Sequence, residues 1–239
     1  MGPRLHDHVA PGAGASPGAL LLPAVALLCH VFPQSNGLPT PQATIEYRTV
    51  QVQAGIQLDV AVAGPARAKD AMVLLHGYPE CSWFWRGVVD PLLKGGDLQL
   101  WMPDQRGFNH SSKPNGITSY NVTDLVADIV GLVGHLQSER GDPAGSKVHV
   151  LGHDWGGPVA WLVAGWHPEI TKTLTILNGP HPSIFIDELR HDHEQQQRSS
   201  YMLFFDTPAA SLVDPADMFK GAQWWDAATA RAYAAACKS

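Results

Sequence analysis

The stretch KVHVLGHDWGGPVAW, residues 147–161, decides the fold of this chain. It begins with a compact apolar run that predicts a buried strand, and it ends in a segment that predicts a helix to about residue 167. Gly152 and Gly156 stand two positions before and two positions after Asp154. This G-x-D-x-G spacing is typical of a tight turn from strand to helix, in which small residues let two backbones pass closely and the central side chain is held above the sheet.

Other short apolar runs on both sides of this turn also have strand-like composition. The predicted strands are 45–52, 56–62, 71–75, 98–102, 147–151 and 174–177, and the predicted helices are 83–93, 120–137 and about 157–167. The first two strands flank Ala54-Gly55 and predict a hairpin. Because the later strands alternate with helices, the sequence predicts an α/β fold: a mostly parallel sheet with helices on both faces and a hairpin at one edge. Functional residues of such sheets lie at the carboxyl ends of the strands, where Asp154 stands.

Composition restricts the class of function. Of the 239 residues, 45% are hydrophobic and 16% are charged, which favours a globular protein over a disordered chain or a coiled coil. The net charge of -6 offers no basic surface for a phosphate backbone, so we expect no nucleic-acid partner. Cys29, Cys81 and Cys237 are widely spaced without a C-x-x-C pair, which we interpret as excluding a disulfide framework and a cysteine zinc site. His191 and His193 cluster without complementary ligands, so we expect neither a metal nor an organic cofactor.

The chain divides into three predicted segments. Residues 1–43 are rich in glycine and proline and nearly free of charge, which predicts a leader or disordered segment outside the folded core. Their apolar run, 19–32, is too short to cross a bilayer; it suits a secretory signal or membrane-associating segment as well as it suits disorder in a cytoplasmic protein. Residues 44–181 are interpreted as the N-terminal part of the α/β core, and residues 182–239 as an incomplete helical lid.

The chemistry of Asp154 follows from its position. A carboxylate at a helix N-terminus is favoured in its ionised form, and it can displace at a saturated carbon to form an enzyme ester. The sequence HGYP, 76–79, ends an earlier strand and is typical of a loop that presents a backbone N–H to a developing oxyanion. We therefore expect the N–H groups of Tyr78 and Trp155 to form an oxyanion hole. Taken alone, the G-x-D-x-G pattern is also compatible with an ordinary glycine-rich turn.

Four motifs, in order and spacing, resemble the epoxide hydrolase branch of the α/β-hydrolase superfamily. They are HGYPE (76–80), PDQRGFNHSSKP (103–114), GHDWGG (152–157) and LNGPHP (177–182). The resemblance covers about residues 45–208. It implies an α/β-hydrolase fold with a helical lid, Asp154 as the nucleophile, and Tyr78 and Trp155 as the oxyanion donors. It also implies that Trp155 lines the substrate pocket and that the bond before Pro79 is cis.

The resemblance also assigns a role to the first lid helix, interpreted as residues 194–208. Epoxide hydrolases carry a tyrosine seven residues before a proline there, and Tyr201 and Pro208 reproduce this spacing. The phenol of Tyr201 would donate a proton to the alkoxide that leaves during epoxide opening. The alternative is that Tyr201 is one aromatic residue of an apolar helix, beside Phe204 and Phe205. Related haloacetate dehalogenases have a histidine-tryptophan pair at this point, so Tyr201 favours epoxide opening over dehalogenation.

The second half-reaction is not accounted for by this sequence. The family places a histidine base and its acid partner after the lid, and His181, His191 and His193 come too early to match. We therefore interpret the chain as C-terminally truncated and expect at most a single alkylation of Asp154 by a small hydrophobic epoxide. Two classes stay open: an epoxide hydrolase, with a dehalogenase as the alternative chemistry, or a catalytically incomplete fragment that binds an apolar ligand.

Overall fold

The computed structural model describes residues 41–205, 207 and 227–237. The strands are β1 (Ile45–Gln53), β2 (Ile56–Ala63), β3 (Asp70–Leu75), β4 (Leu98–Pro103), β5 (Val148–His153) and β6 (Thr171–Leu177). The helices are α1 (Arg86–Gly95), α2 (Val122–Arg140), α3 (Gly156–Trp166), α4 (Pro182–His191), α5 (His193–Arg198), α6 (Tyr201–Phe205) and α7 (Ala227–Ala236), with short 3-10 turns at Ser82–Trp85 and Ile117–Tyr120. The apolar run 19–32 lies outside the described residues.

The six strands form a single mixed sheet in the order β1-β2-β4-β3-β5-β6. Strands β4, β3, β5 and β6 are parallel, whereas β1 pairs with β2, and β2 with β4, in the antiparallel sense. The hairpin therefore lies at one edge and the crossover strands lie beyond it. This arrangement confirms the predicted α/β fold. It also brings the carboxyl ends of β3 and β5, which carry the two decisive motifs, side by side.

Helices cover both faces of the sheet. Apolar residues of α2 and α3 pack on one face, against β-branched and leucine side chains of the strands. Residues of α1 pack on the other face, against Met72, Leu74 and Leu100. Strand β3 is buried on both faces, which explains why its sequence is continuously apolar and does not alternate. No helix in the described ranges is long and apolar enough to cross a membrane.

The segment after β6 differs in detail from the expected lid. Helix α4 begins at Pro182, and the predicted helix over 194–208 is replaced by two short helices, α5 and α6. The break falls at Ser199 and Ser200, where hydrogen bonding becomes that of a turn. Serine hydroxyls compete for backbone hydrogen bonds and weaken a helix interior, which gives a physical reason for the break. Pro208 lies outside the described residues.

Cys81 and Cys237 form a disulfide, which corrects our interpretation of the cysteines. Their Cα atoms lie 5.6 Å apart although the two residues are separated by 156 positions in the sequence. Wide spacing along the chain does not limit the distance between two cysteines in a fold. Helix α7 ends directly before Cys237 and returns the chain to the turn that follows β3.

Candidate active site

Asp154 stands in a strand-to-helix turn between β5 and α3 that only small residues allow. A Cβ atom on Gly152 would lie 2.4 Å from the carbonyl oxygen of Gly156, and a Cβ atom on Gly156 would lie 2.2 Å from the carbonyl oxygen of Leu75. Both distances are far below van der Waals contact. The two glycines therefore let α3 pack directly against the ends of β5 and β3, as the G-x-D-x-G spacing predicts.

The backbone of Asp154 is held in the left-handed region, with φ of 49°. This conformation is uncommon for a residue with a side chain, and it costs on the order of 1 kcal/mol. Two hydrogen bonds hold it: the Asp154 N–H donates to the carbonyl of Leu177 at 3.2 Å, and its carbonyl accepts from the Gly157 N–H at 2.8 Å. The turn thereby projects the carboxylate beyond the sheet.

The Tyr78 N–H donates to Oδ1 of Asp154 at 3.0 Å. This contact joins the HGYP motif to the G-x-D-x-G motif, at the ends of the neighbouring strands β3 and β5. A Cβ atom on Gly77 would lie 2.6 Å from the same oxygen, so glycine is required for this close approach. The peptide bond between Tyr78 and Pro79 is cis, as the resemblance implied.

Glu80 and His153 form a buried polar pair beside Asp154. Oε2 of Glu80 accepts from the Gly77 N–H at 2.8 Å, and Oε1 lies 3.3 Å from Nε2 of His153. The other ring nitrogen of His153, Nδ1, lies 3.3 Å from the carbonyl oxygen of Leu177. Because a carboxylate and a carbonyl can only accept, both ring nitrogens of His153 are placed to donate.

This environment favours a charged His153. Burial lowers the pKa of His153, but the hydrogen bond and negative charge of Glu80, together with the charge of Asp154, outweigh burial and raise it. Phe84 stacks on the imidazole ring, with centroids 5.1 Å apart. Protonation of His153 therefore places a positive charge next to the Asp154 carboxylate.

His76 is fully buried behind the same loop and is held neutral. Its Nδ1 donates to the Gly77 carbonyl at 2.8 Å, and its Nε2 accepts from the Gln105 N–H at 3.0 Å. Burial lowers the pKa of His76, against the opposing influence of Asp104. The neutral ring thus joins the loop after β3 to the loop after β4 and fixes the position of Gly77.

Asp104 joins the segment after β3 to the loop after β4. Its carboxylate accepts from the Ser82 N–H at 2.6 Å and from the Asn109 side chain at 2.7 Å, and its side chain is fully buried. Farther from Asp154, Arg106 and Asp128 form a buried ion pair with two contacts of 2.8 Å. The PDQRG motif therefore supports the site indirectly, through hydrogen bonds of Asp104 to Ser82 and of Gln105 to His76.

The remaining predicted site residues have different surroundings. Trp155 directly precedes α3 and is 56% exposed, and its place in the substrate pocket stays a prediction. Tyr201 begins α6 and is 59% exposed, and its proton-donor role stays a prediction. The side chains of Phe204 and Phe205 lie outside the described structure.

The residues that hold the Tyr78 loop and surround Asp154 were not predicted from the sequence. Glu80, His153 and His76 were quoted only as parts of motifs, and their mutual contacts could not be read from spacing along the chain. The presence of charged and imidazole side chains directly beside glycines, at the ends of two buried strands, was the available signal. Tyr233 carried no such signal, although its hydroxyl donates to the carbonyl of Pro79.

Fold and site together place an aspartate in a strand-to-helix turn that faces a backbone donor. Residues 70–212, more than half of the chain, match the family described as alpha/beta hydrolase fold, and the chain belongs to this family.

Its similarity reaches proteins that are named epoxide hydrolases. The chain is 41% identical over 161 residues to the AB hydrolase superfamily protein YfhM of Bacillus subtilis, covering 66% of this chain and 53% of that protein. It is 35% identical over 155 residues to epoxide hydrolase 4 of Mus musculus, covering 65% and 40%. A solved structure described under novel epoxide hydrolases in metagenomes from hot environments aligns with a TM-score of 0.63 at 32% identity, covering 77% of this chain and 60% of that one. The matches thus span about half the length of the curated relatives, and they confirm the resemblance drawn from the motifs.

Proposed function

We propose that this chain carries the ester-forming half of an epoxide hydrolase, with Asp154 as the nucleophile. The observation that supports the proposal most is the 3.0 Å hydrogen bond from the Tyr78 N–H to Oδ1 of Asp154. It orients the carboxylate and designates Oδ2 as the attacking oxygen. The names of the relatives support epoxides as the substrate class.

In the proposed step, Oδ2 attacks an epoxide carbon from the side opposite the ring oxygen. The carbon–oxygen bond of the ring breaks, an ester bond to Asp154 forms, and the ring oxygen becomes an alkoxide. Tyr201 donates its phenolic proton to that alkoxide and later recovers a proton from solvent. The product of this half-reaction is a 2-hydroxyalkyl ester of Asp154.

Hydrolysis of the ester would require water to attack its carbonyl carbon. The oxygen held by Tyr78 would then become an oxyanion, stabilised by the N–H groups of Tyr78 and Trp155. Removing one such donor in other enzymes costs about a hundredfold to a thousandfold in rate. We assign no residue of this chain to the activation of the water.

The test is mass spectrometry of the 239-residue protein after incubation with styrene oxide. We expect a mass increase of one epoxide per chain, mapped by proteolysis to Asp154, and no increase for Asp154→Asn. Asp187→Asn, an exposed carboxylate on α4, is the matched control and should react like wild type. An adduct that persists in Asp154→Asn would contradict the proposal, and halide release from fluoroacetate without any epoxide adduct would favour a dehalogenase.

A further inference from the structure

Helix α7 is attached at two points to the loop that carries the Tyr78 N–H. The first point is the disulfide between Cys81 and Cys237. The second is the hydroxyl of Tyr233, which donates to the carbonyl of Pro79. Tyr233 is 1% exposed, and its ring meets Trp83 edge to face with centroids 5.6 Å apart. Both attachments fall within residues 79–83, directly after Tyr78.

The hydrogen bonds of this loop link it to residues near in sequence and to two residues far away in sequence, Asp154 and Tyr233. The Gly77 N–H donates to Glu80, the Gly77 carbonyl accepts from His76, and the Tyr78 N–H donates to Asp154. The Pro79 carbonyl accepts from Tyr233, which is 154 positions away in the sequence. Pro79 itself is buried, so the loss of this donor would leave a buried carbonyl unpaired and would favour movement of the loop.

The Tyr233 hydroxyl is well suited to act as a permanent donor. Burial, followed by the nearby charges of Glu80 and Asp104, raises the pKa of Tyr233, so the phenol keeps its proton. The disulfide keeps this hydroxyl at the loop, because a covalent bond four residues farther along the chain holds the helix in place. The carbonyl of Tyr233 also accepts from the Cys237 N–H at 2.8 Å, which couples the two attachments.

We propose that α7 acts as a redox-controlled strap, a helix that holds the loop of residues 76–81 in place through the Cys81–Cys237 disulfide. We further propose that Tyr233 is a positioning residue for the Tyr78 N–H in this loop. A dithiol reductant would open the strap: the Cys81–Cys237 bond takes up two electrons and two protons to give two thiols, and the dithiol becomes a disulfide. Cys81 is buried whereas Cys237 is half-buried, so attack is expected at the sulfur of Cys237. Release of α7 would make the position of the Tyr78 N–H less fixed and would slow the reaction of Asp154. The effect on reactivity rests on the proposed function, whereas the effect on the loop does not.

The first measurement is amide hydrogen exchange of the 239-residue protein, oxidised and reduced with dithiothreitol. We expect exchange of the Tyr78 N–H to accelerate about tenfold or more on reduction and in Tyr233→Phe, while strand β3 keeps its protection. Arg231→Ala is the matched control, because Arg231 is exposed on the same helix. Unchanged exchange at Tyr78 in both the reduced protein and Tyr233→Phe would overturn the proposal. An equal acceleration in β3 would also overturn it, because α7 would then stabilise the whole fold and not the loop.

The second measurement is the rate of adduct formation at Asp154 as a function of epoxide concentration. A positioning role predicts that the limiting rate falls about tenfold in Tyr233→Phe and in the reduced protein, with little change in the half-saturating concentration. A change confined to the half-saturating concentration would contradict it. If Tyr233→Phe does not fold, reduced wild type and Cys237→Ser decide the outcome. Failure of wild type to form any adduct would count against the proposed function alone, since amide exchange still tests the strap.

Discussion

Asp154, the proposed nucleophile, is flanked by Glu80 and His153, and this pair gives the site a testable response to pH. Glu80 and Asp154 raise the pKa of His153 against the effect of burial. A histidine whose pKa is raised in the folded state stabilises the fold below its unfolded pKa, about 6.5, and loses that contribution as pH rises through the folded value. The stabilisation should therefore be greatest in mild acid and should fade in alkali.

Glu80→Gln tests this pair while keeping the volume of the side chain. We expect the pKa of His153 to fall, because burial lowers it and the charge of Glu80 no longer raises it. NMR titration of the imidazole measures the pKa. The free energy of unfolding should differ from wild type more at about pH 6 than at about pH 9. Glu139→Gln is the control, because Glu139 pairs at the protein surface with His135 and Arg48, and the loss of such pairs has little effect. A His153 pKa unchanged in Glu80→Gln would contradict this explanation.

At the residue scale the sequence predicts what lies within a motif and misses what lies between motifs. The close approach of Asp154 and Tyr78 could be predicted because glycine spacing and strand ends restrict the local backbone. The cis bond before Pro79 was implied only by the family resemblance. The contact of Glu80 with His153 depends on β3 lying beside β5, which no local pattern contains. Tyr233 depends on a contact across 154 positions, so it could be found only in the folded chain.

At the scale of elements, the packing of α3 against the sheet depends on Gly156. A methyl group at this position would lie 2.2 Å from the Leu75 carbonyl and 2.7 Å from the His76 carbonyl. Backbone atoms cannot move aside as a flexible side chain can. We expect Gly156→Ala to lower the free energy of unfolding by about 1–3 kcal/mol, measured by urea denaturation.

The control for this change is Gly134→Ala on α2. Nothing lies within 4 Å of a Cβ atom at Gly134, so alanine there meets open space. Because alanine favours the helical backbone over glycine, this variant should be more stable than wild type by about 1 kcal/mol. Opposite signs for the two variants would establish close packing as the cause, and equal losses of stability would contradict it.

The elements themselves were predictable to different degrees. Strands β3, β4 and β5 are largely apolar because both of their faces are covered. The predicted runs 71–75 and 98–102 lie within β3 and β4, and the predicted run 147–151 overlaps β5 from Val148. The predicted lid helix was less accurate, since its polar and glutamine-rich sequence has no apolar face that defines where the chain turns. The break between α5 and α6 falls at Ser199 and Ser200, whose hydroxyls weaken a helix interior.

At the scale of the whole molecule, β6 forms one end of the sheet in the described part of the chain. Strand β1, at the other end, carries charged side chains at Glu46 and Arg48 in its interior, whereas the sequence TKTLTIL of β6 has a charge only at Lys172. An edge with few charges offers unpaired backbone groups to a second copy. The 239-residue chain should therefore associate as its concentration rises.

Thr175→Lys tests this prediction, because a lysine within an edge strand opposes pairing with another strand. We expect light scattering after size-exclusion chromatography to show a lower average mass for this variant than for wild type at the same high concentration. Ser138→Lys adds the same charge on the exposed face of α2, away from the edge, and should associate like wild type. Equal dissociation in both variants would assign the effect to net charge, and no change in either would show that β6 is not the associating edge. Circular dichroism of both variants controls for loss of folding, so that a smaller mass reflects the strand edge and not an unfolded chain.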